Sequence, residues 1–167
     1  MGKISKKFNG EIMGFAKEKT CENCGFKFSE LDEISFYFND DLTELTESEA
    51  RGLQGYEVLD KVSKSKISGK LEEFYCKECD ELVNVYIVCK NDSGLSEEEV
   101  SDLINKSSEF EITKVIFEIG RDLLFAHTNI DDEICPKCNN KIYGYFEMDV
   151  CPKCEDKHFV EFYHIYE

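Results

Sequence analysis

The hydrophobic pattern divides this chain into short aromatic and β-branched runs and three amphipathic stretches. The runs at 26–28, 34–38, 71–75, 82–89, 141–148 and 158–166 read as strands, with 82–89 the clearest. Ile12, Met13, Phe15 and Ala16 suggest a short strand or helix near the start. A helix is predicted over 47–60, where Thr46 and Glu49 have capping-box spacing, although Gly52 and Gly55 weaken it by about 1 kcal/mol each. A second is predicted over 97–108. Ser96 and Glu99 form a capping box there, acidic residues fill the first turn, and Val100, Leu103 and Ile104 mark one face. The stretch 111–126 fits two patterns. As a helix it aligns Ile112, Val115, Ile116, Ile119, Leu123 and Ala126 in one stripe opposite Glu111, Lys114, Glu118 and Asp122. As a hairpin it would turn at Gly120-Arg121-Asp122. The stripe is the cleaner pattern and favours the helix. The segments 61–70 and 129–133 read as loops.

Composition permits a real core. The 167 residues are 41% hydrophobic and include thirteen Phe and eight Tyr, far from the disordered class. The net charge of −16 argues against a general phosphate-backbone binder, which needs clustered Lys and Arg. The one basic stretch is N-terminal: Lys3, Lys6, Lys7, Lys17 and Lys19 against Glu11 and Glu18. Nucleic-acid contact is therefore expected only there, if at all. No apolar run has the length of a secretory core or a membrane span, so a cytosolic protein without membrane contact is expected.

Cysteine changes the picture most. Eight of the nine cysteines sit in four CxxC units: Cys21/Cys24, Cys76/Cys79, Cys135/Cys138 and Cys151/Cys154. The last two are identical CPKC tetrapeptides separated by twelve residues. In a reducing compartment such pairs read as metal ligands before disulfides. CxxC places two thiolates on one tight turn, and a second pair completes closed four-sulfur coordination. Gly25 after Cys24 suits a turn that requires positive φ. Cys89 stands alone at a strand end and reads as a buried apolar residue.

Residues 135–154 resemble a zinc ribbon, with turns similar to rubredoxin-type knuckles, and 21–79 resembles an expanded ribbon of the same kind. The resemblance is to a fold group and implies structural metal, not an activity. Sequential pairing, first knuckle with second and third with fourth, is the simplest arrangement; a cross-brace and a nested arrangement are the alternatives. Two metal sites are expected, with zinc as the metal and iron as the alternative, since Gly follows only one of the four knuckles.

The sequence thus points to an α+β protein of two zinc-ribbon-like antiparallel β units, stapled by four-cysteine metal sites, with two or three inserted helices. The expected organisation is an N-terminal expanded ribbon over 1–92 with a helical insertion at about 40–70, a helical segment over 93–128, and a C-terminal ribbon over 129–167. Catalytic signatures are lacking. His127, His158 and His164 have no metalloprotease or deaminase context, and no phosphate-binding or nucleophile-elbow motif occurs. A non-catalytic zinc protein serving as an acidic protein-interaction module or accessory subunit is expected. The alternatives are an acidic mimic of nucleic acid that blocks a nucleic-acid-binding protein, and a rubredoxin-like electron carrier.

Overall fold

A computed structural model describes residues 14–31, 34–49, 52–120, 134–144 and 150–166. Expectations that fall on Ile12, Met13, His127, the loop at 129–133 and the residues 145–148 lie outside the described residues. The described elements are strands β1 (Gly14–Cys21), β2 (Lys27–Leu31), β3 (Ile34–Phe38) and β4 (Leu45–Glu49), helix α1 (Gly52–Lys64), strands β5 (Ile67–Cys76) and β6 (Glu81–Asn91), helix α2 (Glu97–Ser107), and strands β7 (Thr113–Phe117), β8 (Ile142–Gly144) and β9 (Phe159–Tyr166). The fold is α+β, with two helices and both antiparallel and parallel pairing among these residues.

The β5–β6 hairpin is the spine. Its pairing runs from Ile67↔Asn91 to Cys76↔Glu81. The other edge of β5 is divided between two partners: β3 pairs at Ser35↔Lys70 to Tyr37↔Ser68, and β8 pairs at Phe74↔Gly144 to Cys76↔Ile142. With β4 beyond β3 and β7 beyond β6, these strands form one six-stranded sheet. A separate three-stranded sheet has the order β2-β1-β9.

Strand alternation distributes the core over both faces of the large sheet. Tyr86 and Val88 of β6 pack with Phe36, Phe38, Ile67 and Leu71, and α2 covers this face with Val100 and Ile104. Val83, Val85, Ile87 and Cys89 face the other way, toward Phe74, Ile112, Ile142, Cys76 and Cys135. Cys89 is buried there among apolar side chains, as its sequence context suggested. Ser68 points away from the α2 side and its hydroxyl donates to the Val62 carbonyl at 3.2 Å, which seats α1 on the second face.

Two helix expectations are corrected. Residues 113–117 form β7, a strand pairing with β6 in parallel from Asn84↔Thr113 to Val88↔Phe117. A parallel neighbour requires a crossover rather than a tight turn, and α2 supplies it. That tertiary demand outweighs the helical stripe; the remainder of the stripe, 121–126, lies outside the described residues. The segment 45–49 is likewise β4, and α1 begins only at Gly52. Glu47 is needed in extended form because its Oε1 accepts from the Tyr86 hydroxyl at 3.0 Å inside the core. The segment read as a loop at 61–70 instead holds the end of α1 and the start of β5. By contrast, the Ser96–Glu99 capping box is present in full, with Ser96 Oγ accepting from the Glu99 amide and Glu99 Oε1 from the Ser96 amide.

Glu73 and Asn84 face each other across β5 and β6. Glu73 Oε2 and the buried Asn84 Oδ1 have no hydrogen-bond partner among the described residues. Burial lifts the Glu73 carboxyl from its ordinary 4.5 to about 7. A carboxyl raised on folding favours the fold in its protonated form. Its contribution is fully present below pH 4.5 and is lost as the pH rises through 7. Glu73→Gln is therefore expected to raise stability by about 1–3 kcal/mol at pH 8 and to change little at pH 4. Urea unfolding at the two pH values checks it; an equal effect at both would contradict it.

Candidate metal centres

Three of the CxxC units close the same turn. The amide of Gly25 donates to the Cys21 carbonyl at 2.9 Å, that of Asn139 to Cys135 at 2.9 Å, and that of Glu155 to Cys151 at 2.8 Å. The first cysteine of each donates in return to the carbonyl five residues on, Cys21 to Phe26, Cys135 to Asn140 and Cys151 to Asp156. The remaining knuckle closes through the Cys76↔Glu81 pair of the β5–β6 hairpin. In all four, the residue after the second cysteine is left-handed: Gly25 at φ 79°, Asp80 at 52°, Asn139 at 63° and Glu155 at 66°. The turn is thus the same whether or not Gly occupies it, so the lack of Gly after three knuckles does not mark them as different. Glutamate has the least reason to tolerate this conformation. Glu155→Gly is expected to stabilise the metal-loaded protein by about 0.5–1 kcal/mol, and Gly25→Ala to destabilise it by about 1 kcal/mol. Shifts of the urea midpoint in opposite directions check the pair.

The knuckles associate in a nested order. Cys21, Cys24, Cys151 and Cys154 form site 1, and Cys76, Cys79, Cys135 and Cys138 form site 2. Sequential pairing is therefore corrected: the two CPKC units do not share a site. Strand pairing is the physical cause. β9, which follows the fourth knuckle, pairs along the whole of β1, up to Cys21↔Phe159. β8, which follows the third, pairs with β5 at Cys76↔Ile142.

Within each site the four sulfurs lie within 4.8 Å of one another. Cys21–Cys154 and Cys24–Cys151 are 3.5 and 3.6 Å apart, and Cys76–Cys138 and Cys79–Cys135 are 3.4 and 4.0 Å apart. Sulfurs about 2.3 Å from a tetrahedral zinc stand about 3.8 Å from each other, whereas a disulfide is about 2.05 Å. The donor set and its spacing fit a metal ion. No family model, curated protein or solved structure matches the chain. The chemistry of the two centres rests on their own geometry.

That geometry is asymmetric in two respects. First, the thiols within a site differ. Donation from the Asn140 side chain and then its amide holds Cys138 down to about 6, and Asn23 with the Asp156 amide does the same for Cys154. Burial first, with neighbouring thiols, pushes Cys79 up to about 12, and burial does so for Cys151. Each site thus sets a thiol held low beside one pushed up, and metal binding by thiolates is coupled to proton release. Second, the sites differ in setting. Cys76 and Cys135 belong to the core, with Cys79 and Cys138 packed against it. In site 1 Cys21 and Cys151 are buried, but Cys24 is exposed, and among the described residues none of the four joins a hydrophobic cluster.

The two sites touch through residues that the cysteine spacing did not single out. The ring of Phe26, beside the first knuckle, meets that of Tyr75, beside the second, at 4.8 Å between centroids and a tilt of 56°. Tyr75 donates to Asp80 at 2.5 Å, and Lys153 of the fourth knuckle pairs with the same carboxylate at 3.1 Å. Lys153 also lies 5.7 Å over the Phe26 ring, and Lys77 reaches Glu155 at 3.9 Å. Burial first, and then the Asp80 contact, raises the Tyr75 phenol, keeping it a donor. The only sequence signal for this bridge was opposite charge within or just after different knuckles. His158 lies outside both sulfur sets, exposed, with Nδ1 2.5 Å from Asp156 Oδ1. His164 has no described side chain.

Proposed function

We propose that the chain is a non-catalytic zinc protein in which two structural metal sites hold a sheet-based scaffold and the acidic surface engages a protein partner. The observation that carries this reading is the closure of both sites. Four sulfurs at tetrahedral spacing leave no position for water or substrate, whereas a catalytic zinc keeps one open. Thiolate-only donors favour zinc or iron over hard cations. The left-handed residue after all four knuckles, with the same closing bonds in three of them, supports a common structural role. The acidic balance of −16 supports a partner that presents positive charge. Exposed Glu97, Glu98 and Glu99 contribute to that balance while serving the α2 N-terminus.

Native mass spectrometry of the purified chain tests the first part: two zinc ions are expected, both removable by chelation with loss of folding. A red preparation with visible charge-transfer absorption would instead favour the electron-carrier reading, and absence of metal would overturn both. Cross-linking pull-down tests the second part. Recovery of a nucleic-acid-binding protein, displaced by free nucleic acid, would shift the reading to an acidic mimic. No described helix is long and apolar enough to cross a membrane.

A further inference from the structure

We infer that the two metal sites have different tasks: site 2 is a fixed core staple, and site 1 is an exchangeable latch that holds the three-stranded sheet. This rests on the metal-binding reading above and goes beyond it. In site 2, Cys76 and Cys135 are buried among Phe74, Val83, Ile112 and Ile142, and Cys79 and Cys138 are half-buried against the same core, so an incoming ligand meets no fully exposed sulfur there. Site 1 presents Cys24 directly to solvent. It also joins segments far apart in the chain, because residues 21–24 and 151–154 are brought together around everything folded between them. The sheet β2-β1-β9 shares no strand with the large sheet. Its contacts to the large sheet include the small cluster of Phe26, Phe28 and Phe159 with Tyr75, Leu82 and Tyr143, and the Lys153–Asp80 and Lys77–Glu155 pairs. Removal of the site 1 metal frees both knuckles that anchor this sheet and exposes those aromatic faces.

The exchanging ligand is a small thiol or a thiol-rich metal acceptor. With zinc held by the four site 1 sulfurs, the incoming sulfur would take the place of Cys24, the exposed ligand, one zinc–sulfur bond forming as the other breaks. The proton released by the incoming thiol is taken by the departing cysteine, and no electrons are transferred. Successive substitutions pass the metal out while site 2 stays loaded.

The test uses the full chain carrying two zinc ions, challenged with glutathione together with EDTA and followed by native mass spectrometry and hydrogen exchange. A one-zinc species is expected to accumulate, with its first metal leaving at least tenfold faster than the second. In that species, faster exchange is expected over 14–31 and 159–166, with 67–91 still protected. Cys24→Ser is expected to hold one zinc and to show the same exchange pattern. Two zincs lost in a single phase, or early loss of protection over 67–91, would overturn this inference and leave the metal reading standing. A chain that takes up no zinc would overturn both.

Discussion

Cys76→Ser is expected to abolish cooperative folding. Cys76 is fully buried, ends β5, pairs with both Glu81 and Ile142, and contributes a sulfur to site 2. A structural zinc contributes on the order of 10–16 kcal/mol to the apparent stability of a small metallo-domain. A whole domain is stable by only about 5–15 kcal/mol. Replacing the thiolate by a hydroxyl removes a ligand that zinc prefers and leaves a polar group in an apolar core, where burial without a partner costs about 1–3 kcal/mol more. The expected outcome is loss of the site 2 metal and of any sharp thermal transition, read by native mass spectrometry and circular dichroism. Retention of both metals and a normal transition would contradict the placement of Cys76. The same experiment resolves the nesting. Cys138 belongs to the same four-sulfur site as Cys76, so once Cys76 is serine, further replacement of Cys138 is expected to cost little. Cys24 serves the other site, so Cys24→Ser and Cys138→Ser are expected to be nearly additive in metal count. Sequential pairing would instead couple Cys76 to Cys24.

The candidate ligands were legible from the chain and their grouping was not, for a definable reason. CxxC spacing is a local constraint, and the spacing alone selects all eight cysteines. Pairing is set by which strands hydrogen-bond, and β1 with β9 joins opposite ends of the described chain. Loop-closure entropy grows slowly with length, so proximity in sequence is a weak guide once the intervening segment folds on its own core. The same distinction separates the two capping-box signals. Ser96–Glu99 precedes an apolar stripe that packs on Tyr86 and Phe36, and the helix forms. Thr46–Glu49 lies where Glu47 must accept from Tyr86 and where β4 pairs with β3, and the strand forms. At 113–117 both patterns fit the residues, and the open edge of β6 decides between them.

Gly69→Ala is expected to be the most damaging substitution outside the cysteines. The β5–β6 ladder passes from Ser68↔Lys90 to Gly69↔Val88, so Cys89 is an extra residue on β6 and the pair carries a bulge. At that step the two backbones close on each other. A Cβ on Gly69 would stand 1.8 Å from the Ile87 carbonyl oxygen, 2.8 Å from its carbon and 3.0 Å from the Cys89 nitrogen. All three atoms are main chain and cannot swing aside as a side chain tip can. Relief requires the strands to part or the bulge to move. A one-residue slip would turn Val83, Val85 and Ile87 away from site 2 and Tyr86 away from Glu47. Both routes sacrifice ladder bonds or core burial in the element on which the second knuckle is built. A loss of about 3–5 kcal/mol is expected, at the upper end for single substitutions. Gly25 provides the contrast, because nothing lies within 4 Å of a Cβ there and only its positive φ resists alanine. Urea unfolding of zinc-saturated protein is expected to separate the two by at least 2 kcal/mol, a margin set by steric overlap against about 1 kcal/mol of conformational strain. Equal losses would mean that the β5–β6 bulge yields easily, and that the close approach of Gly69 to Ile87 does not fix the register that brings Cys76 and Cys79 into site 2.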